Sequence, residues 1–133
     1  MQGAFTIGDL ARRIGVNIET IRYYERVGLM PRPQRTSGGQ RVYDESDLRR
    51  LGFIRKAREL GFQIEDTRAL VALRGVDDAC TDVKAIAERQ LAKVRAEMRR
   101  AGEVERILAD AVGRCSGGPA NECTVLSVLE PAA

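Results

Sequence analysis

Three cysteines, Cys80, Cys115 and Cys123, are the residues of this chain best suited to chemistry. A thiolate is a soft ligand that selects Hg(II), Cd(II), Pb(II), Zn(II) or Cu(I) over hard cations such as Mg(II). An odd number of cysteines is not a disulfide framework, and a reducing cytoplasm would not keep one. Histidine is absent, which removes the usual general base and the commonest nitrogen ligand. Any soft-metal site must therefore be built mainly from thiolates. Cys115 and Cys123 stand either side of the seven residues SGGPANE, enough loop to fold back and turn both sulfurs to one centre. Two other readings of the same thiols stand beside this one: unrelated buried or free cysteines, and a sensor of oxidants. An enzyme is disfavoured. There is no acid pair in a plausible cleft and no phosphate loop, and the last two cysteines lack the close spacing of a redox pair.

The elements that must position these thiols come next. Thr81 is placed to cap a long helix running to about Gly113. Along it Val83, Ile86, Ala87, Leu91, Val94, Met98, Ala101, Val104, Leu108 and Ala111 recur mostly every three or four residues, a coiled-coil-like stripe. Cys80 precedes this helix and Cys115 follows it, so roughly 45 Å of helix separates them and they cannot meet within one chain. A single apolar stripe on so long a helix must be buried against a partner. A compact domain of about 70 residues offers it little to lie along, so a second copy of the helix, in a two-fold dimer, is expected. After the cysteine loop, Thr124 is placed to cap a last short helix, Val125 to Leu129.

The N-terminal half carries a different chemistry. Asn17 opens NIETIRYYERVGLM as a helix cap, and Ile18, Ile21 and Val27 supply one apolar face. Thr20, Arg22, Tyr23 and Arg26 project elsewhere, and all are groups that bond phosphate oxygens or base edges. Upstream, Thr6 and Asp9 fit a capping box, Leu10, Ala11 and Ile14 line a short first helix, and Gly15 ends it. Two short helices joined by a tight Gly turn form a helix-turn-helix pattern. Proline at 31 and 33 stops the second helix. Gly38-Gly39 then reads as a hairpin turn between two extended runs that carry Arg35, Arg41 and Tyr43, a basic β-wing. Asp44 or Ser46 caps a third helix through Leu60, and Ile64 to Leu73 forms a fourth. Thr20, Arg22, Tyr23, Arg41 and Tyr43 are the expected DNA contacts, with Arg58 on the third helix as a phosphate contact.

Residues 5–73 resemble the winged helix-turn-helix domain of the MerR family of transcription regulators. The matching motifs are FTIGDLARRIGVNIETIRYYERVGL, the basic GG wing ending in RVY, and DLRRLGFIRKARELGF. The resemblance implies an antiparallel pair of long helices tying two DNA-binding domains together. In such a dimer Cys80 of one chain comes beside Cys115 and Cys123 of the other, a three-thiolate site across the interface. The pattern is similar to the metal-sensing branch of the family. Copper-type sensors lack the first cysteine, so Cys80 points to a divalent ion; zinc-type members usually add Cys or His ligands, and this chain has no His. Mercury-type sensors are the most similar, although their last two cysteines are commonly spaced slightly further apart. The resemblance thus implies Hg(II) first, Cd(II) or Pb(II) next and Zn(II) third. It also implies a palindromic operator between widely spaced promoter elements, and RNA polymerase as a partner.

The totals fit this reading. An apolar share of 44% suffices for a core, while 31% charged residues and few aromatics point to a helix-rich fold with much solvated surface. Residues 1–73 hold 13 basic against 9 acidic side chains and residues 74–133 hold 9 against 10, so the first half is the one suited to a polyanion. No apolar run approaches a membrane span, and MQGAFTIGDL lacks the pattern of a secretory signal; a cytoplasmic protein without membrane contact is expected. The predicted architecture is mainly α. It comprises a winged helix-turn-helix domain (1–74), a linker and dimerisation helix (75–113), and a metal-binding loop with a terminal helix (114–133).

Overall fold

The computed structural model describes residues 4–132. The first three residues of the N-terminal stretch and the last residue of the chain lie outside it. The chain forms two compact units, Met1–Glu88 and Arg89–Ala133.

In the first unit, α1 (Ile7–Ile14) starts at Thr6, whose hydroxyl accepts the Asp9 amide while the Asp9 carboxylate accepts the Thr6 amide. The expected capping box is present. Gly15 closes α1 with φ of +83°, a left-handed conformation that a side chain would strain, and so allows the sharp turn into α2 (Ile18–Arg26). Asn17 caps α2 by accepting the Thr20 amide at 2.8 Å. The wing is a hairpin of β1 (Gln34–Arg35) and β2 (Arg41–Val42), antiparallel, with Gln34 opposite Val42 and Arg35 opposite Arg41. Its turn places Gly39 at φ of +85°. Tyr43, just beyond β2, exchanges two backbone hydrogen bonds with Phe5, which stitches the wing to the start of the chain. Then follow α3 (Glu45–Glu59), with Asp44 as the cap in a second capping box, and α4 (Ile64–Leu73).

The core of this unit joins Phe5, Leu10, Ile21, Tyr24, Leu29, Met30, Tyr43, Leu51 and Ile54. Ile21 belongs to the expected apolar face of α2, and the buried Tyr24, outside that expected face, completes it. Thr67 is fully buried, and its hydroxyl is satisfied by the Gln63 carbonyl at 2.8 Å.

The long helix α5 spans Cys80–Arg114. It begins two residues earlier than a cap at Thr81 implies, because the Val83 amide reaches the Ala79 carbonyl at 3.0 Å. Cys80 therefore lies in the first turn of α5, not before it, and Thr81 is not its cap. At the far end the chain turns through Gly117 and a short 3-10 turn at Ala120–Glu122 into α6 (Thr124–Leu129). Here too the expectation needs correcting. Cys123, not Thr124, holds the cap position of α6, and the Thr124 hydroxyl donates instead to the Ala111 carbonyl at 2.6 Å. That bond ties α6 to the end of α5. No helix among the described residues is long and apolar enough to cross a membrane.

Candidate functional site

Two surfaces carry the chemistry. The first is a groove between α2 and the wing, about 760 Å³ in volume, lined by Arg22, Glu25, Arg26, Arg32, Pro33, Arg35 and Arg41. Five guanidiniums against one carboxylate make it strongly positive, the condition for holding a phosphate backbone. Three of these arginines, at 26, 32 and 35, extend the expected set. Arg32 carried no signal beyond its charge, since its place between two prolines marks a turn before it marks a groove wall.

The expected contacts fall into distinct situations. Arg22 is about half exposed and pairs with Glu19 one turn earlier at 3.0 Å. Tyr23 is 41% exposed, with the Arg26 guanidinium 5.8 Å from its ring centre. Both face outward on α2. The Thr20 hydroxyl donates to Asn17 Oδ1 at 2.9 Å; while it does so it can accept from a base amine but cannot donate to a phosphate. Arg58 donates to the Phe62 carbonyl at 2.6 Å, closing the end of α3 with one of its nitrogens. Arg41 lines the groove and pairs with Glu25 at 3.3 Å.

Tyr43 is a correction. It is only 2% exposed, and its hydroxyl donates to Glu25 Oε2 at 2.8 Å, so it anchors the wing to α2 instead of presenting itself outward. Burial first, then the neighbouring Glu25 carboxylate, pushes its phenol up to about 12. Because the folded chain keeps this proton beyond the ordinary value of 10, the unfolded chain binds fewer protons between those two pH values. Stability contributed by Tyr43 is thus complete below pH 10 and lost as pH rises toward about 12. Across that window urea midpoints of the native chain should fall more than those of Tyr43→Phe, by an amount worth roughly 2–3 kcal/mol.

Two arginines outside the expected contacts fasten the far end of α2. Arg50 on α3 donates to the Leu29 carbonyl at 2.7 Å, and Arg68 on α4 donates to the Val27 carbonyl. Carbonyls beyond a helix C-terminus lack partners in the helix itself, and both bonds reach more than twenty residues along the chain.

The second surface is the cysteine loop. Cys115 is exposed and Cys123 half-buried. The Cys115 thiol lies within hydrogen-bonding reach of the Cys123 sulfur, so the structure brings these two together as expected. Cys123 makes no cap bond of standard geometry, yet its sulfur faces the first-turn amides of α6. Those of Leu126, then Val125, hold its thiol below the ordinary value, against the opposing effect of burial. A thiol whose ionisation is eased, beside a second thiol, is a soft two-donor face. Cys80 is exposed at the other end of α5. Among the described residues no group of three potential ligands forms within one chain.

Family models agree with both halves of the molecule. The MerR HTH family regulatory protein model matches residues 5–73 and the MerR DNA-binding model matches residues 48–111. The chain belongs to the MerR family. This MerR chain is 38% identical over 130 residues to the mercuric resistance operon regulatory protein of Bacillus cereus, covering 94% of the chain and 96% of that protein. It is 39% identical over 134 residues to the HTH-type transcriptional regulator ZntR of Escherichia coli K12, covering 97% and 94%. Among solved structures, the regulator PbrR691 from Ralstonia metallidurans in complex with lead(II) is 35% identical, with a TM-score of 0.77 over 95% of this chain and 99% of that one. As a MerR protein the chain is a DNA-binding regulator of transcription and not an enzyme.

Proposed function

We propose that this chain is a homodimeric, metal-responsive repressor and activator of a heavy-metal resistance operon, with Hg(II) as its effector. Residues 1–74 read the operator, 75–113 pair the two copies, and 114–133 carry two of the three metal ligands. Cys80 of one protomer joins Cys115 and Cys123 of its partner. The observation that carries this reading is the Cys115–Cys123 pair, with the Cys123 thiolate favoured by the amides of α6. The third donor of this reading is Cys80 of the partner, because no complete set forms within one chain among the described residues.

The donor chemistry fits a soft divalent ion: sulfur only, no histidine, and no third ligand of another kind in place. Hg(II) stands first because it tolerates trigonal sulfur coordination, and a mercuric resistance regulator is among the relatives. Pb(II), present in the PbrR691 structure, and Cd(II) follow, with Zn(II) third. On the DNA side, Arg22, Tyr23 and Arg41 meet the duplex, with Thr20 toward the bases and Arg58 at the edge; Tyr43 supports the wing from behind. Cys80, Cys115 and Cys123 act on the operator through the dimer. Joined across the interface, they favour one disposition of the two DNA-binding units, one that lets RNA polymerase use the promoter. Only a difference in affinity between the two dispositions can drive that switch.

The test is an anaerobic titration of the reduced protein with Hg(II), Cd(II), Pb(II) and Zn(II), following thiolate-to-metal ultraviolet absorption. Saturation at one ion per three-thiolate site is expected, tightest for Hg(II). The paired thiols also favour a second reading, a redox regulator without metal. No saturable signal with any ion, together with a DNA response reversed by reductant alone, would establish it.

A further inference from the structure

The basic groove between α2 and the wing contains a single carboxylate. Glu25 is the one acidic residue among those lining it, and its side chain is only 10% exposed. Its position is costly in two ways. A carboxylate loses solvation there, and it repels the same phosphates that the surrounding arginines attract.

Its bonds show what offsets that cost. Glu25 Oε1 accepts from Arg41 Nη1 at 3.3 Å, and Oε2 accepts from the Tyr43 hydroxyl at 2.8 Å. Glu25 stands on α2, while Arg41 and Tyr43 stand on the returning limb of the wing. Arg41 also lies directly opposite Arg35 in the hairpin, a like-charge pair that destabilises a two-stranded ribbon. Glu25 neutralises one member of that pair, and the other turns its guanidinium to the Gly39 carbonyl at 2.8 Å. The lone carboxylate of the groove is thus the tie between its two walls.

We infer that Glu25 is a positioning residue for DNA binding: through Arg41 and Tyr43 it holds the wing against the recognition helix, so that arginines on both engage the backbone as one surface. The inference rests on the DNA-binding role of this groove. Ordering the wing before DNA arrives removes an ordering cost from the binding step. The simpler alternative, a negative charge that merely opposes phosphate, makes the opposite prediction. Removing it would tighten binding.

The experiment is fluorescence anisotropy with two 30-base-pair duplexes, one enriched by the native chain from a randomised pool and one unselected. Glu25→Gln keeps the shape and removes the charge. It is expected to weaken binding to both duplexes by about five- to tenfold, the scale of freeing one or two ordered side chains. In an Arg41→Ala, Tyr43→Phe background the same change is expected to have no further effect, because the groups it holds are gone. Should Glu25→Gln fail to fold, by circular dichroism, Tyr43→Phe severs one of the two ties and is expected to weaken binding about threefold. Unchanged or tighter binding by Glu25→Gln, or by Tyr43→Phe where the first does not fold, overturns the inference. A further loss in the double-substituted background overturns it as well. Failure of the native chain to bind either duplex instead overturns the role of the groove.

Discussion

A Cys80→Ser chain mixed with a Cys115→Ser, Cys123→Ser chain will bind metal that neither binds alone. Each homodimer lacks a ligand at both sites, and loss of a direct ligand should cost more than the ten- to hundredfold that loss of an outer partner costs. In a mixed pair, however, the proposed arrangement sets Cys80 of the second chain against the intact loop of the first and should restore one complete three-thiolate site. Random re-pairing makes about half of all pairs mixed, so about a quarter of native capacity should return. The measurement is bound Hg(II) after co-refolding and exchange against a competing thiol. Capacity that stays at zero would show that each site is built within one chain. Full capacity in the Cys80→Ser homodimer would instead show a site of two donors only.

The second large effect belongs to α5. Its apolar stripe is open along the second unit: Leu91 is 45% exposed, Met98 68%, Val104 46%, Leu108 45% and Val112 63%. Ala101, Val104, Leu108 and Val112 line one shallow apolar surface on that helix. Replacing Val104 and Leu108 by Glu in both copies removes four burials, each worth roughly 1.5–3 kcal/mol, and places like charges on an apolar seam. Sedimentation equilibrium should find a monomer at micromolar concentration where a dimer is expected of the native chain. Operator affinity should fall about a hundred- to ten-thousand-fold as two-point attachment is lost. The first unit contains its own core, so its helical circular dichroism should survive. A variant that remains dimeric would show that this stripe is not the pairing surface.

What could be read from the sequence was what is local in the chain. The caps at Thr6, Asn17 and Asp44 were legible because each bond closes within three residues. The Gly38-Gly39 turn followed from its own residue types. The division of labour among polar groups was not legible. Tyr43 and Arg41 both looked like outward groups on a wing, and only their meeting with Glu25, eighteen and sixteen residues away, shows that one is a buried anchor. The bonds of Arg50 and Arg68 were equally hidden, since only the fold brings the Leu29 and Val27 carbonyls to them. Thr124 was misread for a related reason. A hydroxyl beside a helix start usually caps it, but here Ala111, thirteen residues back, is the better acceptor.

With the proposed pairing through α5, its open stripe also makes the folded state a matter of concentration. A core closed within one chain has a stability that dilution does not touch, whereas order that depends on a second copy follows mass action. Each tenfold dilution removes about 1.4 kcal/mol from the paired state. The DNA-binding unit keeps its shape throughout, while the long helix of an unpaired chain has lost its cover and becomes the segment most open to proteases. On that reading the number of chains present sets how many complete three-thiolate sites can form.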